Sequence, residues 1–187
     1  MSRHDIDYNS IVRKASGGDL VSYLATALPE AWIGNYVKTT SGRTSIYQFV
    51  DHGFEYLFDI AHDRVIAAFG MSEKNSAKRD SSRMRGFLGG SISDLYDGRT
   101  DKGHIMSHRQ GGGMDVNLFP QRPDVNRGRG AHKRYRALER YCAANSGTFC
   151  FSRLLYDDRS WIPEEIEYGI VPGTGALTVE RFPNSAM

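Results

Sequence analysis

Apolar residues recur every three or four positions in two parts of the chain, the spacing that places them on one face of an α-helix. The first part is Ser10–Leu28, where we predict a break at Gly17-Gly18 and an end at Pro29, because proline lacks the amide hydrogen that a helix needs. The second is Ala131–Ala144. One face of this second helix carries Tyr135, Leu138, Tyr141 and Cys142, and Asn145 and Gly147 supply its stop signal.

Runs of β-branched and aromatic residues predict strands. The first group is Thr44–Val50, Phe54–Ile60 and Arg64–Phe69. The segments between them are short enough for hairpin turns, so we expect an antiparallel meander. A second group follows at Thr148–Tyr156, Glu165–Val171 and Leu177–Phe182, and Gly103–Ser107 is typical of a shorter strand. Residues 70–82 are polar and without periodicity, which predicts a loop.

Length and composition are those of a globular chain that folds without staples. The chain has 187 residues, 40% hydrophobic and 25% charged, and a domain of this size buries roughly 70% of its unfolded surface. Cys142 and Cys150 fit neither a disulfide framework nor a common metal-ligand spacing. The order of elements predicts an α+β protein with an antiparallel sheet, in which residues 1–35 form an N-terminal helical segment and residues 36–187 form the main domain.

The same pattern argues against a membrane protein. No stretch approaches the roughly 18 uninterrupted apolar residues of a transmembrane helix, and the first ten residues carry two acids and no apolar core, so we identify no cleavable signal peptide. We therefore expect the protein in the cytoplasm of the cell that makes it, or delivered from there by a specialised secretion system.

Positive charge is concentrated in one segment. The net charge of the whole chain is only +2, whereas residues 99–140 hold 10 basic and 4 acidic residues, a local charge of +6. Such a cluster is the electrostatic footprint expected of a phosphate-binding surface, although a solvated helix face gives the same count. Charge alone leaves these two readings equal.

The segment from Asp101 to Asn126 contains the residue types that phosphodiester hydrolysis needs. His104 follows a glycine at a strand end, and an imidazole with a pKa near 6.5 can take a proton from water. Amides follow at Asn117 and Asn126, and the next helix contributes the carboxylate of Glu139. Magnesium takes oxygen ligands and keeps several waters, so one amide or carboxylate oxygen together with the substrate phosphate is enough to hold it.

The order of these residues resembles a known family. Asp101-Lys-Gly-His104, then Asn117-Leu-Phe-Pro-Gln121, then Asn126, then Tyr135 ahead of Leu138-Glu139, is similar to the DNA/RNA non-specific endonucleases with a ββα-metal (His-Me finger) active site. The string Gly103-His-Ile-Met106 followed by Arg109 and glycines resembles the branch found among bacterial secreted toxins. The match is dense over residues 101–140.

The resemblance implies a role for each matched residue. His104 would be the general base, Asn126 the magnesium ligand, Asn117 an amide that organises the site, and Glu139 a carboxylate near the metal and its waters. Lys102 stands where many members carry arginine, Tyr135 where tryptophan is common, and Gly128–Arg134 is an insertion before the helix. The arginines expected to contact nucleic acid are Arg99, Arg109, Arg122, Arg127 and Arg136, and the candidates for a substrate-clamping arginine are Arg83, Arg85 and Arg99.

The sequence therefore predicts a Mg²⁺-dependent endonuclease, with Mn²⁺ as the substitute ion, that cleaves DNA and RNA with little sequence preference. A toxin with a cognate immunity protein, a host-defence nuclease and a scavenging nuclease all fit this prediction. Two other classes stay open: a non-catalytic nucleic-acid-binding module on a degenerate nuclease scaffold, and a zinc-stabilised interaction domain using His104 and His108. The zinc alternative is the weaker, because no further Cys or His lies at a suitable spacing.

Overall fold

The computed structural model describes residues 2–15, 19–77, 100–157, 160–173 and 175–185. The helices are α1 (Tyr8–Lys14), α2 (Leu20–Thr39), α3 (Pro123–Asn126) and α4 (Lys133–Ala144). The strands are β1 (Ile46–Asp51), β2 (Phe54–Asp59), β3 (Arg64–Met71), β4 (Asp101–His104), β5 (Leu118–Gln121), β6 (Phe149–Leu155), β7 (Glu165–Val171) and β8 (Thr178–Pro183).

Six of these strands form one antiparallel sheet in the order β1-β2-β3-β6-β7-β8. The meander predicted for the first three strands is confirmed, and it joins the second meander where β3 pairs with β6, Phe69 opposite Phe151. Strands β4 and β5 pair separately as a two-stranded antiparallel ribbon. The chain is thus an α+β protein with a mostly antiparallel sheet.

Both faces of the large sheet are covered. On one face Trp32 of α2 packs against Phe69 and Phe151, with ring centroids 5.7 and 4.9 Å apart. On the other face Tyr135 of α4 packs edge-on against Tyr168 and Phe182, at 5.6 and 5.2 Å. Because successive residues of a strand point to opposite faces, this alternation divides the molecule into three layers. Helices α1 and α2 form one outer layer, and the ribbon with α4 forms the other.

The N-terminal helices differ from the prediction in one respect. We expected Pro29 to end the helix, but α2 continues through it to Thr39. Leu28, Pro29 and Trp32 are buried on the sheet side, and this packing outweighs the roughly 3 kcal/mol that a proline costs inside a helix. The predicted break at Gly17-Gly18 lies outside the described residues. Leu24, Leu28, Trp32 and Tyr36 belong to the same core as the sheet.

The strand predicted at Gly103–Ser107 lies instead at Asp101–His104 (β4), because the chain leaves the ribbon after His104, where Asn117 bonds the Met106 backbone. The three later strands and the helix α4 appear close to their predicted bounds, whereas β5 was not predicted. Both Cys142 on α4 and Cys150 on β6 are buried free thiols. Among the described residues, no helix is both long and apolar enough to cross a bilayer.

Candidate active site

A cavity of about 240 Å³ opens where the ribbon, α3 and α4 meet. Its walls bring together residues that are up to 37 positions apart in sequence. They are Lys102, His104, Ser107, Asn126, Arg127, Arg136 and Glu139. One cavity therefore holds four of the residues that the sequence predicts for the site, namely Lys102, His104, Asn126 and Glu139. Their chemical roles stay predictions.

Strand β4 positions two of these side chains. Lys102 and His104 are two residues apart on one strand, so their side chains leave the same face of the ribbon. Between them, Gly103 lies opposite Phe119, and a Cβ atom at Gly103 would come within 2.1 Å of Gln121 Oε1. Glycine at this position leaves room for the buried Gln121 side chain. The pairing of the two strands places His104 at the cavity wall, where it is only 7% exposed.

The segment after His104 is held by a buried amide. Asn117 is completely buried, its Oδ1 accepts a hydrogen bond from the Met106 amide, and its Nδ2 donates to the carbonyls of Met106 and Gly113, all at 2.8 Å. A Cβ atom at Gly112 would lie 1.9 Å from the Met106 carbonyl oxygen, so the glycine permits this closure. Asn117 lies outside the cavity lining and bonds the loop that follows His104, and its organising role stays a prediction.

Asp101 orients the amide of Asn126. Asn126 Nδ2 donates to Asp101 Oδ2 at 2.9 Å, while Arg127 donates to both oxygens of the same carboxylate at 2.9 and 2.7 Å. Because the NH₂ group of Asn126 is engaged, its Oδ1 is the amide atom left for a ligand in the cavity. Sequence reasoning assigned no role to Asp101, although it begins the Asp-Lys-Gly-His string.

Helix α4 contributes one face to the site. Its buried residues Tyr135, Leu138, Glu139 and Cys142 recur at helical spacing, which seats the helix on the sheet. Arg136 and Glu139 are one turn apart, and Arg136 Nη1 lies 3.6 Å from Glu139 Oε2. The insertion at Gly128–Arg134 forms a short 3₁₀ turn at Gly130–His132 and the start of α4, and Glu139 still reaches the cavity.

The residues predicted to contact nucleic acid divide into three groups. Arg127 and Arg136 line the cavity, and Arg109 lies on an adjoining groove. Arg122 pairs with Asp124 at 2.7 Å and is absent from the cavity wall. Arg99, like Arg83 and Arg85, falls outside the described residues.

Two oxygen-donor side chains, Asn126 and Glu139, line the cavity. His108 Nε2 lies 3.0 Å from the Ala77 carbonyl oxygen, so its ring contacts a loop. In the described part of the chain, no three His, Cys, Asp or Glu side chains cluster as a metal site. Asn126 Oδ1 and the Glu139 carboxylate are oxygen donors of the kind that Mg²⁺ takes together with water and substrate phosphate.

The electrostatics of the cavity favour an anion. Three permanent cations, Lys102, Arg127 and Arg136, line the wall with the Glu139 carboxylate. The Asp101 carboxylate binds Arg127, so three positive and two negative charges leave a net charge of +1. A phosphodiester carries one negative charge, and an added divalent ion would strengthen the attraction. Positive charge beside a proton acceptor such as His104 is the combination that hydrolysis of a phosphodiester requires.

No protein-family model and no curated protein matches the chain. Solved structures that resemble it include nucleases. EndoG, in its complex with EndoGI, is 17% identical over 83% of this chain and 80% of that chain, with a TM-score of 0.49. The Sda1 nuclease with a bound zinc ion is 13% identical over 76% of each chain, with a TM-score of 0.48. An extracellular endonuclease is 12% identical over 79% of this chain and 81% of that chain, at 0.44.

These likenesses concern the fold. At identities of 12–17% and TM-scores below 0.5, they do not show the function of this chain.

Proposed function

We propose that the chain is a Mg²⁺-dependent endonuclease that hydrolyses phosphodiester bonds of DNA and RNA with little sequence preference. The observation that supports this most strongly is the cavity itself. A histidine, an oxygen-donor pair and three cations converge on about 240 Å³, although they come from a strand, a short helix and a long helix.

Asn126 and Glu139 are the residues that would hold the metal. Bound there, Mg²⁺ would supply positive charge to the transition state and to the leaving oxygen, and Mn²⁺ is expected to substitute. Asp101 accepts a hydrogen bond from Asn126 Nδ2, which leaves Oδ1 as the ligand atom of that amide. Removal of a residue that orients a metal ligand typically lowers metal affinity or activity by roughly 10- to 100-fold.

His104 accepts the proton of the attacking water. As the water oxygen bonds to phosphorus, its proton moves to the imidazole, and the bond from phosphorus to the 3′-oxygen breaks. Lys102, on the same strand face, neutralises a non-bridging oxygen as charge builds up. The 3′-oxygen leaves and gains a proton, so the products carry 5′-phosphate and 3′-hydroxyl ends.

Low sequence preference follows from the type of contact. The cations and polar groups of the cavity address phosphate, and phosphate contacts carry no sequence information.

The test is digestion of plasmid DNA and of total RNA by the purified chain, with Mg²⁺ and with EDTA, followed by analysis of the product ends. We expect metal-dependent degradation of both substrates, giving ends that DNA ligase can rejoin. Ends with a 3′-phosphate would refute the proposed direction of cleavage. Binding of DNA without degradation under any condition would favour the non-catalytic module, against which the joint presence of His104, Asn126 and Glu139 argues.

The biological setting that we propose is an effector or toxin nuclease with a cognate immunity protein. Its support is the string Gly103-His-Ile-Met106 followed by Arg109, which resembles the bacterial toxin branch. Cytoplasmic expression in bacteria should arrest growth, and the His104→Ala variant should relieve the arrest. Normal growth with active protein present would favour a defence or scavenging role.

A further inference from the structure

A larger groove of about 850 Å³ continues from the candidate active site along α4. The two share Ser107, Arg136 and Glu139, so they form one continuous surface. Beyond the shared residues, the groove is lined by Lys74, Asn75, Ser76, Ala77, His108, Arg109, Arg140, Ala143 and Ala144.

Helix periodicity builds one wall of this groove. Arg136, Arg140, Ala143 and Ala144 recur at three- and four-residue spacing, so they share one face of α4. The nine residues from Arg136 to Ala144 span about 12 Å along the helix axis. A nucleic-acid strand in a B-form duplex advances 3.4 Å per nucleotide, so this wall is long enough for about three nucleotides, counted from the cavity end at Arg136.

The cations of the groove differ from the other cations of the segment. Arg122, Arg127 and Arg134 are committed to the carboxylates of Asp124, Asp101 and Glu180, at 2.7, 2.7 and 2.6 Å. The exposed groove cations are Lys74, Arg109 and Arg140, and among the described residues none of them forms an ion pair. Like charges that face one groove without carboxylate partners raise its positive potential and attract a polyanion.

We propose that this groove holds the polynucleotide strand on one side of the cleaved bond, with Lys74, Arg109 and Arg140 contacting successive phosphates. The inference rests on the proposed nuclease function, because continuity with the catalytic cavity selects a nucleic acid over other polyanions. The remaining lining residues are small, mostly alanine, serine and asparagine. The groove therefore offers contacts to the backbone and few side chains able to stack on bases, which suits binding without sequence preference.

The test compares two double variants with equal changes in charge. Lys74→Glu/Arg140→Glu alters the groove, and Lys38→Glu/Arg13→Glu alters exposed cations of α2 and α1 on the opposite layer. Both are made in the His104→Ala background, and binding of a labelled 20-mer duplex and of a dinucleotide is measured by anisotropy in EDTA. A Lys74→Gln/Arg140→Gln variant serves as the groove variant if charge reversal impairs folding.

For the groove variant we expect roughly tenfold or greater weakening for the 20-mer, and a salt dependence of log K whose slope falls by about 2, since two phosphate contacts are lost. The dinucleotide has a single bridging phosphate and cannot make the three successive phosphate contacts, so it should lose less affinity. Equal losses in the two double variants, or equal losses for the two ligands, would overturn the proposal. Hydrolysis by the wild-type chain is scored separately, so inactivity would refute the nuclease function while the binding data still decide the groove.

Discussion

The polar side chains on the two faces of the six-stranded sheet differ in how they are paired. On the face covered by α1 and α2, the buried Arg153 and Glu167 pair at 2.8 Å, and Glu167 also accepts from the Tyr8 hydroxyl at 2.6 Å and from Arg181 at 2.6 Å. Trp32 Nε1 donates in turn to Tyr8 Oη at 3.1 Å. Burial, and then the neighbouring Glu167 carboxylate, raise the pKa of Tyr8 well above its ordinary range.

The face covered by the ribbon and α4 is organised differently. Its polar side chains converge on a cavity, and the exposed cations of the groove beside it have no carboxylate partners among the described residues. On the first face, charged groups that pair with one another hold α1 and α2 on the sheet. On the second face, cations without carboxylate partners among the described residues remain available to a ligand. Mutations in the first should change stability, and mutations in the second should change chemistry.

The sharpest separation is expected from two histidines. His104→Ala should lower kcat by roughly 10²- to 10⁴-fold while the fold stays intact, because a general base contributes on that order. His62 contacts the buried Asp59 carboxylate at 2.7 Å, and neither residue lines the cavity. His62→Ala should therefore lower the melting temperature and leave kcat unchanged. Circular dichroism melts and nuclease assays on the two variants measure both effects. Full activity in His104→Ala, or lost activity in a stable His62→Ala, would contradict these assignments.

The buried ion pair should give the largest change in stability. Arg153→Met leaves Glu167 buried with fewer partners, and breaking such a pair costs about 3–5 kcal/mol. Because Arg181 and Tyr8 still bind Glu167, we expect the lower end of that range in urea unfolding.

The double variant Arg153→Met/Glu167→Gln is the control for that measurement. It removes the uncompensated charge and should recover part of the loss. If the double variant is no more stable than Arg153→Met, uncompensated charge is not the cause.

On the open face, the orienting role of Asp101 is measurable through the metal. Asp101→Asn should raise the Mg²⁺ concentration for half-maximal activity by about 10- to 100-fold, as loss of an orienting partner typically does. Asn126→Ala should raise it at least as far. Unchanged half-saturation in Asn126→Ala would assign the ligand elsewhere.

The smallest effect concerns Asp59, which holds the end of α2 to the β2 strand. Burial alone would raise the pKa of this carboxyl, but hydrogen bonds from Ser45, Tyr36, His62 and Ala61 outweigh it and hold the pKa below its usual value of 3.8. A depressed folded-state pKa contributes stability above the unfolded value, and that contribution is lost as the pH falls through the folded value. Asp59→Asn should cost about 1–3 kcal/mol at pH 7. A difference from wild type that does not shrink below pH 3.8 would exclude the carboxylate as its source.

The pattern of apolar residues was sufficient to predict the strands of the large sheet and α4, because its periodicity agrees with their burial. It failed where packing against distant parts of the chain determines the local structure. Helix α2 continues through Pro29 because the sheet covers that side of it, and β5 was missed because it is four residues long and contains Pro120, which a two-stranded ribbon tolerates.

The candidate site shows the same limit. The string from Asp101 to Glu139 identified four side chains that the structure places in one cavity. The link from Asp101 to Asn126 spans 25 residues, and the pair Arg134–Glu180 spans 46. Which cations are committed to carboxylates and which face the groove depends on such distant partners, so the sequence alone could not divide them.

The most direct test of the central claim is cleavage of supercoiled plasmid by wild type and His104→Ala, each with Mg²⁺, with EDTA, and with added imidazole. We expect wild type to cleave only with the metal, and His104→Ala to be inactive until imidazole replaces the missing base. Cleavage by His104→Ala at the wild-type rate, or by wild type in EDTA, would contradict a metal-dependent mechanism with His104 as the base.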